Sequence, residues 1–451
     1  MRFYSTNRDV APTGLREALF QGQAADRGLY MPETYPSFGP DELEALGDKT
    51  YPEIASAILR PFTKDVIDEG RLLALCEDAY DYEVPIEKVT DRRHVLRLDQ
   101  GPTASFKDFA ARMMARWMGE LLAEDEQELV ILTATSGDTG SAVAHAYHGI
   151  DGIRIVVLFP KDEVSTRQRK QMTTLGGNVT TFSVDGKFDD CQALVKRAFA
   201  DEDLAGIRLS SANSINIGRL LPQSVYYVYA YVRLADAANL EPIVFSVPSG
   251  NFGDMMGAVI ARKMGVPIER LVIATNENDE VPKFLASGVY QKIEPSRVCI
   301  SNAMNVGHPS NLARLVDLYG GWMDEKGTLR ASPSMEKLRA DLFGISITDA
   351  ETRETIKQAY ENHGVILEPH GAVGWAGLQR FVESHSEASS RTMVSVETAH
   401  PAKFPEEIRS LIGIDPEVPL SLSGIEDRPE TFEPLTVDYE PFRDMLRARF
   451  S

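Results

Sequence analysis

The sequence predicts an α/β fold with mainly parallel sheets and flanking helices, which follows a mostly helical N-terminal domain. Beyond Arg93, short apolar runs alternate with segments of helical periodicity, and this alternation is typical of parallel sheets. Ahead of that point, Thr50, Pro52 and Glu53 form a capping-box pattern that predicts the start of a helix. The predicted strands are residues 128–136, 153–161, 179–184, 242–249, 270–277 and 392–397.

The length of the chain predicts more than one domain, because 451 residues exceed the size at which a single hydrophobic core stops growing. We assign residues 1–93 to the N-terminal domain and residues 94–404 to the α/β domain. Residues 405–451 are rich in proline and acidic residues. This composition predicts a C-terminal tail that runs over the surface as extended chain.

The composition excludes several classes of function. A net charge of −20 argues against binding to nucleic acid or to anionic membranes. The three cysteines are scattered without metal-ligand spacing, so neither a disulfide framework nor a metal site is expected. The N-terminus lacks a secretory signal, and no apolar run reaches membrane length. We therefore expect a cytoplasmic protein. The sequence leaves two oligomeric states open, a monomer and a homodimer.

Lys107 lies at the start of a strongly periodic predicted helix. One face of this helix is formed by Phe106, Phe109, Met113, Trp117 and Leu121, at spacings of three and four. Lys107 lies outside that face and in the first turn, where the helix dipole disfavours an ammonium ion. The position favours a neutral, nucleophilic amine, as Schiff-base chemistry requires. The alternative interpretation is an ordinary solvated lysine near a helix start.

A Gly-rich turn at residues 250–254 follows one predicted strand and precedes a predicted helix. Backbone N–H groups converge at such a helix N-terminus and form a site for an anion. Gly250 and Gly253 let the backbone approach a phosphate without a Cβ in the way. The alternative is that these glycines serve packing alone.

A second turn of the same kind begins at Ser136, after the strand predicted at 128–136. Ser136 and Thr139 add hydroxyl donors, which suit a carboxylate as well as a phosphate. The alternative is a plain helix cap, in which Asp138 or Thr139 satisfies free N–H groups. Because ligands bind at the carboxyl ends of parallel strands, both turns are predicted at the binding edge of a sheet.

Five segments of the chain resemble those of one enzyme family. They are SFKDFAARMM from Ser105, TATSGDTGSA from Thr133, SSANSINIGRLLPQ from Ser210, SVPSGNFGD from Ser246 and ETAHPAKF from Glu397. In this order they resemble the fold-type II (tryptophan synthase β-like) pyridoxal-phosphate enzymes and, within them, the threonine synthases. Residues 4–33 also resemble the N-terminal extension of microbial and fungal threonine synthases. The resemblance covers essentially the whole chain and implies a smaller mobile subdomain near residues 110–225.

The resemblance implies a cofactor, pyridoxal 5'-phosphate (PLP), and residues that bind it. Lys107 would form the Schiff base, and Phe106 would pack near the ring. The residues implied at the cofactor phosphate are Gly250, Asn251, Phe252, Gly253 and Asp254. Thr398 would face the pyridine nitrogen. Because a hydroxyl holds a proton there less well than a carboxylate, the ring would be a weaker electron sink, which favours elimination and replacement at the substrate side chain.

The resemblance also implies a small-molecule substrate, O-phospho-L-homoserine. The residues implied near its carboxylate are Ser136, Asp138, Thr139 and Gly140, and those implied at its phosphate are Asn213, Ser214 and Arg219. A guanidinium suits a phosphate because it offers two parallel donors. Lys161, Ser165 and Gln168 are further candidates. The implied reaction is a γ-elimination followed by β-addition of water, the last step of threonine biosynthesis, with Lys107 as general base and acid.

Three alternative functions remain open from the sequence. The nearest is another PLP-dependent lyase, such as a serine or threonine dehydratase or a threonine synthase-like phospho-lyase. Dehydratases commonly carry Asn where this chain has Asp138, which disfavours them. A binding protein on the same fold is disfavoured because Lys107, Thr398 and both Gly-rich turns are present. A nicotinamide oxidoreductase is disfavoured because the glycine spacing differs from G-x-G-x-x-G.

Overall fold

The leading part of the chain is mostly helical. In the computed structural model, which describes residues 1–123 and 127–451, its elements are β1 (Phe3–Ser5), α1 (Leu15–Gln21), β2 (Tyr30–Pro32), α2 (Pro40–Ala45), α3 (Tyr51–Thr63) and α4 (Glu69–Ala79). The predicted capping box is confirmed at the start of α3, where the Thr50 N–H donates to the Glu53 carboxylate at 2.8 Å. The Thr50 hydroxyl in turn accepts the Glu53 N–H, so both free donors at this helix start are satisfied.

Strands and helices then alternate as the sequence predicts. The next elements are β3 (Ile86–Thr90), β4 (Arg93–Arg97), α5 (Lys107–Leu122), β5 (Leu129–Ala134), α6 (Asp138–Tyr147), β6 (Ile153–Pro160), α7 (Thr166–Thr173), β7 (Val179–Val184), α8 (Phe188–Phe199), β8 (Leu209–Ser211) and α9 (Gln223–Leu234). They are followed by β9 (Ile243–Pro248), α10 (Gly253–Lys263), β10 (Ile268–Thr275), α11 (Glu280–Ser287), α12 (Leu312–Leu318), β11 (Trp322–Met323), β12 (Leu329–Ala331), α13 (Met335–Asp341), β13 (Leu342–Ser346), α14 (Asp349–His363), α15 (Pro369–Ser384), β14 (Thr392–Glu397), α16 (Pro405–Ile412), β15 (Glu433–Leu435) and α17 (Tyr439–Phe450).

Two mainly parallel sheets organise these elements. The larger sheet has the order β13-β10-β9-β14-β4-β3, and its pairs are parallel except for β3 with β4. The smaller sheet has the order β15-β7-β6-β5-β8 and is parallel throughout. Every residue of β5, β9 and β14 is buried, as expected for parallel strands covered by helices on both faces.

Each of the six predicted strands is confirmed, as β5, β6, β7, β9, β10 and β14. They were predictable because each is a short segment rich in apolar and β-branched residues. The sequence does not predict β4 or β13, because arginines flank the apolar residues of β4 and Gly344 interrupts those of β13. Among the described residues, no helix is long and apolar enough to cross a membrane.

The prediction of an extended tail over 405–451 is wrong in its conformation. β15 adds a parallel strand to β7, and α17 buries Tyr439, Phe442 and Leu446 in the core of the smaller sheet. The Phe442 ring lies 6.4 Å from the Phe182 ring of β7. The apolar residues of α17 recur at spacings of three and four, so their burial outweighs the proline content. Pro405 is compatible with a helix because it occupies the first turn of α16. The domain boundaries at 93 and 404 stay a prediction.

Candidate active site

Neighbouring parallel strands bring the predicted loops to one edge of the larger sheet. β9, β14 and β4 lie side by side, so their carboxyl ends point to the same edge. The 250–254 turn follows β9, Thr398 follows β14, and the chain after β4 leads to Lys107 at the start of α5. The Phe106 N–H donates to the Thr398 carbonyl at 2.9 Å. The residues predicted to bind the cofactor therefore lie on loops that share this edge.

The smaller sheet brings two further loops to the same site. β5 and β8 are parallel neighbours, and residues 135–140 and 212–219 follow their carboxyl ends. Asp138 of the first loop lies beside Lys107, with 3.8 Å between Oδ2 and Nζ. Ser214 of the second loop accepts a hydrogen bond from the Asn251 side chain at 2.9 Å. The site therefore lies between the two sheets.

Lys107 is the first residue of α5, as the sequence predicts, and its side chain is 13% exposed. Its Nζ lies 4.8 Å from the centre of the Phe106 ring. Burial lowers the pKa of Lys107, the Asp138 carboxylate opposes this, and the cations of Lys403 and Arg219 lower it further. The net direction favours the neutral amine that a nucleophile or base needs.

Asp138 lies between two lysines. Its Oδ1 accepts from Lys403 Nζ at 2.6 Å and from Gln168 Nε2 at 2.9 Å, while Oδ2 faces Lys107. Burial would raise the pKa of Asp138, but the charges of Lys403 and Lys107 outweigh it and hold the pKa well below its usual range. Asp138 is therefore an ionised counter-ion inside the site.

Lys403 is a member of the site that the sequence analysis missed. Its side chain is fully buried, and Nζ also donates to the Thr103 carbonyl at 3.0 Å. One feature of the sequence could have indicated this role. Lys403 is a single lysine between Ala402 and Phe404, shortly after the carboxyl end of a buried strand. Of the further candidates, Ser165 caps α7 and Gln168 reaches Asp138, whereas Lys161 is exposed.

Thr135 holds the 136–140 turn in shape. Its hydroxyl accepts the N–H of Gly137 at 2.9 Å and the N–H of Gly140 at 2.8 Å. The alternative in which Asp138 or Thr139 caps this helix is therefore wrong, because Thr135 takes that role. Gly137 has φ +134°, and a Cβ there would lie 2.5 Å from the Gln168 carboxamide carbon. Ser136 and Thr139 are half-buried, and their substrate roles stay predictions.

The 250–254 turn leads directly into α10. Phe252 adopts a left-handed conformation with φ +62° immediately before that helix. A Cβ on Gly250 would lie 2.8 Å from the Cα of Met304, so the backbones pass closely there. The Asn251 side chain accepts the Ser310 N–H at 2.7 Å and donates to Ser214. Hydrogen bonds of Asn251 to Ser310 and to Ser214 thus hold the turn in place.

The segment after β8 carries the predicted substrate-phosphate residues. Asn213 Nδ2 donates to the Ala134 carbonyl at 3.2 Å. Arg219 is 2% exposed and donates to the Ala212 carbonyl at 2.6 Å, while its Nε finds no hydrogen-bond partner in the described part of the chain. Burial lowers the pKa of Arg219 to about 10, so it still carries a charge at neutral pH. Arg219 therefore has a donor available for an anion.

Arg314 is a second buried arginine, and it fixes this segment in place. Its guanidinium donates to the carbonyls of Ser214 at 3.1 Å, Ile215 at 2.6 Å and Tyr30 at 3.2 Å. The Asn311 side chain accepts a fourth bond at 2.5 Å. The leading part of the chain is thereby tied to the site. No sequence signal separates Arg314 from an ordinary helix-surface arginine.

Asp254, the last of the residues implied at the cofactor phosphate, is bound by two tyrosines. The hydroxyls of Tyr226 and Tyr227 donate to its Oδ1 at 2.5 and 2.7 Å. Burial raises the pKa of Asp254 to about 6, against the lowering effect of these two hydrogen bonds. The carboxylate anchors the first turn of α10 on α9.

Asp254→Asn is expected to change the pH dependence of stability. The folded protein keeps the Asp254 proton up to a pH of about 6, whereas the unfolded chain loses it near 3.8, so rising pH favours unfolding within that window. Asp254→Asn lacks this pH-dependent loss, so the free energy of unfolding of the variant relative to that of the parent should rise by about 2 kcal/mol between pH 4 and pH 8. Urea denaturation of both full-length proteins across this range measures it. A difference that stays constant with pH would contradict the assignment.

Behind Thr398 lies a buried polar network that the sequence analysis largely missed. The Thr398 hydroxyl donates to Glu368 Oε1 at 3.3 Å, and His370 Nδ1 lies 2.5 Å from Glu368 Oε2. His370 Nε2 accepts the Ala303 N–H at 3.1 Å, so the ring proton is on Nδ1 and is donated to Glu368. The sequence feature that could have indicated a structural role for Glu368 is the proline that follows it, Pro369, because this pattern is typical of a helix start.

Comparisons with known proteins identify the relatives of this chain. A family described as "Pyridoxal-phosphate dependent enzyme" matches residues 91–398, and families described as "Threonine synthase N terminus" and "Threonine synthase, C-terminal" match residues 2–80 and 371–445. Threonine synthase of Serratia marcescens is 36% identical over 99% of each chain.

Two solved structures share the fold over almost the whole length. PLP-bound threonine synthase from Brucella melitensis has a TM-score of 0.91 and 35% identity, covering 100% of this chain and 99% of that one. Threonine synthase from yeast has a TM-score of 0.89 and 29% identity, covering 99% of this chain and 98% of that one. These findings confirm the resemblance and the fold class predicted from the sequence.

Proposed function

We propose that this chain, which belongs to the threonine synthase family of pyridoxal-phosphate-dependent enzymes, converts O-phospho-L-homoserine and water into L-threonine and phosphate. The observation that carries the proposal is the convergence of Lys107, Thr398 and the 250–254 turn at one edge of the larger sheet. A lysine amine, a hydroxyl and a Gly-rich turn at a helix start can bind the aldehyde carbon, the ring nitrogen and the phosphate of PLP, respectively.

The residues of the site fit PLP. Lys107 would hold it covalently, because its amine is largely buried and its pKa is lowered, first by burial. The N–H groups of the 250–254 turn would hold its phosphate at the start of α10. Phe106 would pack near its ring, and Thr398 would face the ring nitrogen. When bound, the cofactor supplies a sink for the electrons released at the substrate carbon.

The substrate would bind through the loops of the smaller sheet. Asn213, Ser214 and Arg219 would hold its phosphate, and the unpartnered Nε of Arg219 in the described structure supports this role. The residues proposed near its carboxylate are Ser136, Asp138, Thr139 and Gly140. Because the net charge of −20 repels a doubly anionic substrate at long range, capture depends on these local donors.

The residues of the chain then move protons and stabilise charge. The Lys107 amine takes the proton from the substrate Cα and transfers the Cβ proton as general base and acid. The Arg219 guanidinium stabilises the negative charge on the departing phosphate. Water adds at Cβ, and protonation at Cγ and Cα completes threonine.

Product analysis tests this function. The purified protein with added PLP is expected to release phosphate and threonine in equal amounts from O-phosphohomoserine. A 2-oxo acid in place of threonine would instead identify a dehydratase or a related phospho-lyase. Release of neither product would refute the proposed function.

We also propose a cytoplasmic location. Cys76, Cys191 and Cys299 are all unpaired within the described residues, which agrees with a reducing compartment.

A further inference from the structure

The ion pair between Lys403 and Asp138 links the two halves of the site. Lys403 ends a short turn, Pro401–Lys403, that follows β14 of the larger sheet, whereas Asp138 begins α6 beside the smaller sheet. Their side chains are 0% and 3% exposed, and the separation of 2.6 Å is that of a direct, charge-assisted hydrogen bond. Such a desolvated pair forms only when both sheets are in their places.

The same carboxylate faces Lys107 at the longer distance of 3.8 Å. A buried carboxylate with no other cation would hold the Lys107 amine as an ammonium ion, because opposite charges attract strongly where water is excluded. Lys403 is closer to Asp138 and compensates its charge. Three further charged groups interact electrostatically with Lys107. Arg219 lowers its pKa and Glu368 raises it, whereas the charge of Lys107 acts to lower the pKa of Asp254.

We propose that Lys403 is a positioning residue for Lys107: its ammonium group binds the Asp138 carboxylate and so leaves the Lys107 amine free to act as nucleophile and base. This inference rests on the proposed function, because Lys107 acts as nucleophile and base only in that reaction. The effect of Lys403 and Asp138 on the protonation of Lys107 is present without cofactor or substrate. Lys403 acts through Asp138 and does not itself need to touch substrate or cofactor.

Local structure keeps Lys403 pointed at Asp138. The His400 imidazole accepts the Ala402 N–H at 3.1 Å and stabilises the turn that ends at Lys403. The Thr103 carbonyl accepts a second hydrogen bond from Lys403 Nζ at 3.0 Å. Thr103 also donates to Asp108 in the first turn of α5, the helix that carries Lys107. Lys403 and Lys107 are therefore held relative to each other through one hydrogen-bonded unit.

The test measures the protonation of Lys107 directly. The full-length protein, before PLP is added, is labelled with a trace of an amine-acylating reagent over a range of pH, and mass spectrometry follows the rate at Lys107. Lys403→Gln keeps a hydrogen-bond donor but removes the charge. It is expected to move the labelling midpoint of Lys107 up by at least one pH unit, which is a tenfold lower rate below the midpoint. Lys403→Arg, which keeps the charge, should restore the midpoint.

A double-mutant cycle separates this role from a direct repulsion between the two lysines. In an Asp138→Asn background, Lys403→Gln should shift the midpoint by less than half as much, because the carboxylate through which it acts is gone. An unchanged midpoint in folded Lys403→Gln, or an equal shift in both backgrounds, would overturn the proposal. Lys403→Met serves the same comparison if the glutamine variant does not fold. Since the labelling uses neither cofactor nor substrate, its result is independent of the product analysis.

Discussion

Lys107→Ala is expected to lower kcat for threonine formation by about four orders of magnitude. The substitution removes the group proposed both to hold the cofactor and to move the substrate protons. Lys403, the other buried lysine of the described site, cannot replace it, because Lys403 is bound to Asp138 and to the Thr103 carbonyl. The visible absorption of the bound cofactor should be lost together with turnover. Steady-state kinetics and absorption spectra of the purified variant measure the two effects.

Lys263→Ala is a matched control for this experiment. Lys263 is an exposed lysine at the end of α10, the helix whose start is proposed to bind the cofactor phosphate. Its replacement should leave both kcat and the spectrum unchanged. Borohydride reduction followed by peptide mass spectrometry should place the cofactor on Lys107 in the control. An unaltered spectrum in folded Lys107→Ala would remove Lys107 from the mechanism.

Gly250→Ala is expected to weaken PLP binding by about 100-fold. The added Cβ would lie 2.8 Å from the Cα of Met304 and 3.0 Å from the Ala303 carbonyl oxygen, so backbone must move on one side or the other. Such a movement misplaces N–H donors at the cofactor phosphate. The loss of one or two charge-assisted hydrogen bonds costs about 3 kcal/mol, which corresponds to about 100-fold in Kd. A fluorescence titration of the cofactor-free protein with PLP measures this change.

Gly206→Ala is the matched substitution for Gly250→Ala. It adds the same methyl group in a loop of the same protein, where no atom lies within 4 Å of the new Cβ and φ is not positive. Its Kd for PLP should equal that of the parent. Equal affinities for all three proteins would show that the 250–254 turn does not bind the cofactor phosphate.

Features that depend on neighbouring residues were predictable from the sequence. β5, β9 and β14, which lead into loops of the site, were recognised because each is a short segment rich in apolar and β-branched residues, and the Gly-rich turns because glycine chemistry is local. The capping box of α3 needs only Thr50 and Glu53, and it was found in the structure as predicted. Lys107 was identified from its place in the first turn of a periodic helix.

Features that depend on distant residues were not predictable. Lys403 became part of the site only through partners such as Thr103, which is 300 residues away in the chain. Glu368 and Arg314 likewise bind groups that folding brings to them. The tail was mispredicted because its prolines were weighed above the helical spacing of Tyr439, Phe442 and Leu446. In each case tertiary burial decided the outcome.

The position of β15 has a consequence for how this chain is made. Its partner β7 is synthesised some 250 residues earlier, as the hydrogen bond from Thr181 to the Thr431 carbonyl illustrates. On the ribosome, β7 therefore stays at an open sheet edge until β15 has emerged. A product that ended before residues 433–435 would therefore present β7 as an unpaired, aggregation-prone edge strand.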